Sequence, residues 1–239
     1  MFKACYTTLF KQATLSPRLF VLRTLFWLPL LFIIWYLLSS WLIHPALELA
    51  KLLIPLGLPN LIESLAIQQH YLIINTYLGA EIQAELPQGF ARFTANFFTN
   101  GQHYPFLLSI PLDSLKYAYG LPVLTALVLA TPTSIRKKLL SFGLGFVLVS
   151  LIVVWGLYFN TANFLALDFK TTFTDQAKTL WPLLNETWMQ ACIALGYRLG
   201  FLIFPVVLPI ALWAQLNPAI LSQLIYGSNP KPNPSSLAK

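Results

Sequence analysis

Between Met189 and Leu216 the chain is apolar apart from one charged side chain, Arg198. A helix of about 20 apolar residues matches the thickness of a bilayer's hydrocarbon core, so this run is long enough to span it. A guanidinium within such a run is costly and needs a reason. The remaining composition points to the same solvent. Apolar residues make up 57% of the 239 and charged residues only 10%, against about 25% charged in a soluble domain. A chain of this kind cannot cover its surface with water-solvated groups. It is also short for a transporter built of repeated halves, and no internal repeat is visible.

The net charge of +7 is explained by its placement. Lys3, Lys11, Arg18 and Arg23 precede or open the first apolar run, and Arg136, Lys137 and Lys138 form one cluster. Lys231 and Lys239 lie in the tail, whereas all eight acidic residues fall within 44–116 and 160–188. Basic residues in short segments beside spans mark the cytoplasmic side. The surplus therefore reports topology, and no nucleic-acid partner is expected. Cys5 and Cys192 stand in different predicted regions and cannot form a disulfide framework.

These signals predict a mostly α, integral membrane fold with four transmembrane helices. Residues 1–18 form a cytoplasmic tail, and 19–43 the first span. That span is too long for a signal-peptide core and lacks a small-x-small ending, so it is expected to stay as an anchor. Residues 115–134 form a weaker second span, with Lys116 snorkelling outward. A basic cytoplasmic loop, 135–138, leads to the uncharged third span, 139–159. The fourth span is 189–216. Residues 160–188 form an outer loop, and 217–239 a cytoplasmic tail that is proline-rich and disordered from about 227. Trp27, Trp41, Trp155, Trp188 and Trp213 are expected at span ends, as in an aromatic belt. Trp35 is expected to pack within the bundle.

Residues 44–114 are read as a small extracytoplasmic α+β domain between the first two spans. His44–Gly57 has apolar residues at helical spacing, which predicts a helix lying on the membrane. Three antiparallel strands are predicted at about Ser64–Tyr77, Phe90–Phe98 and Tyr104–Pro111, with Asn100-Gly101 as a hairpin turn. Such a sheet is marginal alone and needs one face covered.

The polar residues carry little chemistry. His44, His70 and His103 lack metal-ligand spacing, and no phosphate loop or nucleophile elbow occurs. No metal or cofactor is expected. Cys192 and Arg198 are six residues apart, which sets them roughly 120° apart around a helix. They do not share a face, so catalysis by Cys192 is the lesser reading. Gly196 and Gly200 have the spacing that lets two helices approach closely, either within the chain or against a partner. Arg198 lies ten residues beyond Trp188, roughly 15 Å below the outer interface. It either snorkels outward or binds a carboxylate or phosphate, with Asp113 as the candidate inside the chain.

The chain resembles the exosortase H-associated membrane proteins of Gram-negative bacteria. The resemblance rests on Phe26-Trp27-Leu28-Pro29, Tyr119-Gly120-Leu121-Pro122, Ala130-Thr131-Pro132 with Arg136, and Trp155-Gly156. Ala194-Leu195-Gly196-Tyr197, followed by Gly200-Phe201 and Pro205, completes the ordered set. The resemblance implies a protein encoded alongside exosortase H, a transpeptidase-like membrane enzyme that processes proteins bearing a C-terminal sorting signal. The cysteine and arginine motifs of the exosortases themselves are absent, as is the order of a sorted substrate. The expectation is a non-enzymatic accessory or scaffold protein of the inner membrane, with both termini cytoplasmic. It would contact an exosortase or its substrates through a seam of Gly196, Arg198 and Gly200. A cysteine peptidase using Cys192, or a structural subunit of another envelope complex, are the alternatives.

Overall fold

Prolines remove a backbone donor, but they do not by themselves end an apolar helix. A computed structural model describes residues 17–58, 61–80, 106–168 and 172–226. In it, helix α1 runs unbroken over Pro17–Gly57 with Pro29, Pro45 and Pro55 inside it. At 1.5 Å per residue it is about 60 Å long, twice the hydrocarbon thickness. One helix thus replaces the predicted span at 19–43 and the predicted membrane-lying helix at 44–57. The stripe that suggested a membrane surface, Ile43, Ala46, Leu47, Ala50 and Ile54, is buried. It shares a core with Leu61, Leu72, Ile74, Ile110 and Leu112. An apolar stripe covered chiefly by helices later in the chain has the same sequence pattern as one covered by lipid headgroups, so periodicity could not separate them.

The sheet that shares this core is antiparallel, in the order β1 (Ile62–Gln68), β2 (Tyr71–Ala80), β3 (Phe106–Asp113). A single strand over Ser64–Tyr77 was predicted, but the chain turns back at Gln69-His70. Gln69 adopts φ 56°, the left-handed value that tight two-residue hairpins require. Gln-His is not one of the usual glycine or asparagine turn pairs, so the reversal had no composition signal. Side chains alternate as the pleat demands. Leu72, Ile74, Ile110 and Leu112 point into the core. On the other face Asn75 donates to Ser64 Oγ (2.9 Å) and accepts from Ser109 Oγ (2.6 Å), which ties all three strands together. The Ser114 hydroxyl and backbone N–H both donate to His70 O, fastening the end of β3 to the hairpin turn. The predicted strand Phe90–Phe98, the turn Asn100-Gly101, His103, Cys5 and the tail from 227 lie outside the described residues.

After β3 come α2 (Leu115–Ala118) and α3 (Gly120–Ala130). Thr131 is extended (ψ 123°) before Pro132, as the ring of a following proline demands, and this ends α3. Helix α4 spans Ile135–Asn163 and continues as a π-helical turn, Phe164–Asp168. The basic triplet therefore occupies the first turn of α4 rather than a loop. Lys138 Nζ donates to the Leu129 carbonyl at 3.3 Å, where a cation suits the C-terminal end of α3. Part of the predicted outer loop, 160–188, is helical, as α5 (Thr172–Leu180) and the 3₁₀ turn Pro182–Asn185. The last long helix comprises α6 (Thr187–Arg198), a π-helical turn (Leu199–Ile203) and α7 (Phe204–Leu216), and α8 (Pro218–Tyr226) follows.

Three helices, Pro17–Gly57, Ile135–Leu167 and Thr187–Leu216, are long and apolar enough to cross a membrane, and Leu115–Ala130 is a shorter apolar helix. This supports a membrane location. Between helices in lipid there is little hydrophobic gain, so close packing decides association. Glycines supply the sockets. A Cβ on Gly145 would overlap Leu124, one on Gly156 the ring of Tyr117, and one on Gly57 the ring of Tyr158. Tyr158 also donates to the Gly57 carbonyl at 3.3 Å, joining the far end of α1 to α4. Trp35 is buried within the bundle, as expected. Trp213 does not lie at an exposed belt: it is buried, stacks on Phe20 and donates to Thr131 Oγ1 at 2.9 Å.

The sockets make a paired test. Gly156→Ala should lower the thermal midpoint in detergent, with an overpacking cost of about 1–3 kcal/mol. Gly143 has no atom within 4 Å of an added Cβ, so Gly143→Ala should leave the midpoint unchanged or raise it by up to about 1 kcal/mol of helix propensity. Equal effects of the two changes would contradict the packing.

Candidate partner-binding face of the last long helix

The last long helix carries two prolines, and their lost hydrogen bonds shape the site. In α-helical register the donor to the Phe201 carbonyl would be residue 205, which is proline and has no N–H. The Tyr119 hydroxyl donates to that oxygen instead, at 3.1 Å. The Pro205 carbonyl faces the same problem, because Pro209 stands four residues on. Gly120 packs directly against this oxygen, where any Cβ would overlap it. Tyr119-Gly120 and Pro205 thus form one joint between α3 and α7. The Phe204 N–H bonds to Leu199 O, five residues back, which is the widened turn of a π-helix. Trp155 of α4 donates its indole N–H to Gly196 O at 3.0 Å and packs at a tilt against the rings of Phe159 and Phe204.

The three residues singled out by sequence do not share one surface. Gly196 and Gly200 are buried. A Cβ on Gly196 would enter the Phe159 ring, and one on Gly200 would lie 3.0 Å from Trp155 Cδ1 and 3.2 Å from Gly156 Cα. Both glycines are therefore occupied by the chain's own α4. Arg198 is exposed. The reason is geometric: at 100° per residue, a side chain two positions from Gly196 points to the far side of the helix. The expected seam divides into an inward glycine face and an outward arginine face. Near Arg198 on the exposed side are Leu195 and Leu202.

Arg198 has no hydrogen bond or ion pair within the chain among the described residues. Asp113, its candidate partner, instead accepts a hydrogen bond from the Leu115 backbone N–H at 2.9 Å, where it starts α2. The ion pairs of Glu48 with His44 and Lys51, at 3.9 and 3.7 Å, are half-exposed. Such pairs contribute little, about 0–1 kcal/mol. Cys192 is exposed and free, and no described histidine or carboxylate bonds to it. Among the described residues, no group of three or more His, Cys, Asp or Glu side chains stands close enough to hold a metal. The one cationic side chain on the exposed face of the last long helix is thus the most distinctive chemical feature of this surface. Sequence reasoning missed Tyr119, Trp155 and Thr131 as hydrogen-bonding partners. The signal was available for Tyr119, since every helical proline frees the carbonyl four residues before it.

The family model for exosortase H-associated membrane proteins matches residues 14–220. Searches of curated proteins and of solved structures gave no match.

The joint predicts a thermodynamic coupling. Tyr119→Phe should cost about 0.6–1.7 kcal/mol of stability, the range for hydrogen bonds between membrane helices. In a Pro205→Ala background the backbone regains a donor for Phe201 O, and the same change should cost close to nothing. Additive effects in the double variant, measured by thermal or denaturant unfolding, would contradict the joint.

Proposed function

Because the chain belongs to the exosortase H-associated membrane protein family, we propose that it is a non-enzymatic accessory protein. In this reading it binds an exosortase, or a protein that an exosortase sorts, within the bacterial inner membrane. The observation that carries it is the exposed Arg198, unpaired among the described residues, on the face of the last long helix opposite its own packing face. A guanidinium in a span is expensive unless it pairs, and a partner's carboxylate or a phosphate satisfies it bidentately. Nearby Leu195 and Leu202 supply apolar surface for the same contact. The reading includes four spans. Leu115–Ala130 is the short fourth, about 24 Å at 1.5 Å per residue, a shortfall from about 30 Å that local bilayer thinning and snorkelling flanks accommodate. Arg18, Arg23 and the Arg136-Lys137-Lys138 cluster support a topology with both termini on the cytoplasmic side. Residues 61–114 and the end of α1 then face outward.

Arg198→Leu should leave the protein folded and membrane-inserted but reduce recovery of the co-expressed exosortase at least tenfold. That corresponds to about 1.4 kcal/mol, within the range for a charge-assisted hydrogen bond. Arg198→Lys should restore recovery only in part, since an ammonium lacks the planar fork. Unchanged recovery with Arg198→Leu would reject the reading. Cys192→Ala should leave sorting of an exosortase substrate intact, and lost sorting would favour a cysteine enzyme instead.

A further inference from the structure

We propose that the exposed face of α4 binds a phospholipid with an anionic headgroup. Arg136 and Lys137 hold the phosphate, and an acyl chain lies over Gly143. The charges fix the end of the bundle at which this happens. Phe20 stacks on Trp213, and Trp213 donates to Thr131. The start of α1 and the link from α3 to α4 therefore lie together. That end carries Arg18, Arg23, Arg136, Lys137 and Lys138, and no Asp or Glu occurs in 17–47, 114–167 or 187–226, the stretches that build it. Lys138 is engaged by the Leu129 carbonyl. Arg136 and Lys137 are exposed and make no hydrogen bond or ion pair among the described residues. A guanidinium takes a phosphate bidentately, and an ammonium beside it adds a point charge.

Gly143 supplies the second half of the site. Glycine is less favourable than alanine inside a helix, and elsewhere in this bundle packing explains it. Every other helical glycine among the described residues has an atom of the chain within 3.0 Å of where its Cβ would stand. Gly145, two positions on, is filled by Leu124 in this way. Gly143 is exposed, and nothing lies within 4 Å of an added Cβ. Whatever uses that space comes from outside the chain.

The two halves share one face. At 100° per residue, Arg136, Leu140, Gly143 and Val147 fall within about 60° of one another around α4. Leu140 and Val147 are exposed, so the missing side chain at Gly143 leaves a dip between two aliphatic ridges. Arg136 stands seven residues before Gly143, a rise of about 10 Å. Charge therefore comes first, at the membrane surface, and aliphatic surface follows toward the bilayer centre. A phospholipid has the same order, phosphate and then acyl chain. The free cations at the foot of the dip favour an anionic headgroup over a zwitterionic one. They also distinguish this face from a glycine seam for a partner helix, which needs no cation. The inference needs the chain to lie in a bilayer, but it does not depend on the accessory role.

The test follows thermal unfolding of the full chain in detergent with phosphatidylglycerol or phosphatidylcholine added. A ligand bound only by the folded state raises the midpoint. Phosphatidylglycerol should raise it several-fold more than phosphatidylcholine does. Arg136→Gln with Lys137→Gln should abolish that difference. Arg18→Gln with Arg23→Gln removes the same charge from the same end and should preserve it. Gly143→Leu fills the dip without displacing any atom of the chain, and should weaken the phosphatidylglycerol response several-fold. Equal responses to the two lipids, equal losses from the two charge pairs, or a full response in Gly143→Leu would each overturn the inference. A photo-reactive residue at Leu140 in native membranes should attach to lipid. Attachment chiefly to a protein would overturn the inference in favour of a partner helix. A chain that loses its exosortase contact but keeps the phosphatidylglycerol response would separate this site from the accessory role.

Discussion

The carbonyl oxygen of Phe201 is the point on which the bundle turns. Inside a bilayer no water can satisfy a backbone group that a proline has left unpaired. Pro205 creates that deficit, and the Tyr119 hydroxyl meets it. Gly120, the next residue, admits the Pro205 carbonyl where a side chain would exclude it. The start of α3 is thereby fixed against α7. With α3 in place, Tyr117 fills the socket at Gly156 and Leu124 the one at Gly145, which sets α4. The glycines of α6 and the turn after it then close on Trp155 and Phe159 of α4. A hydrogen-bond requirement at one proline is thus passed on as steric fit through four helices.

That arrangement determines what the last long helix shows to its surroundings. Its small residues face inward, and Arg198 is left on the outside. In a soluble protein an exposed arginine needs no account. In a span it is a cost that persists unless something outside the chain pairs with it. Exosortase H-associated proteins are named for an association, and the arginine face is the part of this chain whose chemistry is incomplete without one.

Much of this was legible in the sequence where the signal was local and strong. The uncharged run 139–159 and the Arg198 run 189–216 each fall inside one long apolar helix, Ile135–Leu167 and Thr187–Leu216, because an apolar stretch of that length fits a bilayer and little else. The buried position of Trp35 was also anticipated. Errors arose where one pattern has two physical causes. The apolar spacing in His44–Gly57 predicted a membrane-lying helix, whereas the chain's own α3 and α4 are the main cover of that stripe. The spacing of Gly196 and Gly200 predicted a helix seam without saying whose, and grouping Arg198 with them ignored the helical angle between them. The hairpin at Gln69-His70 was invisible because its left-handed residue is a glutamine. Tyr119 belonged to a recognisable motif, but its role depends on a proline 86 positions away in the chain, which only the fold brings near.

The most direct measurement is an experimental structure, in a lipid environment, of this chain with the exosortase proposed as its partner. The account predicts the Arg198 guanidinium within about 4 Å of a carboxylate or phosphate on the partner, with Gly196 and Gly200 still packed on α4. A complex in which the partner binds elsewhere and Arg198 faces only lipid would contradict it.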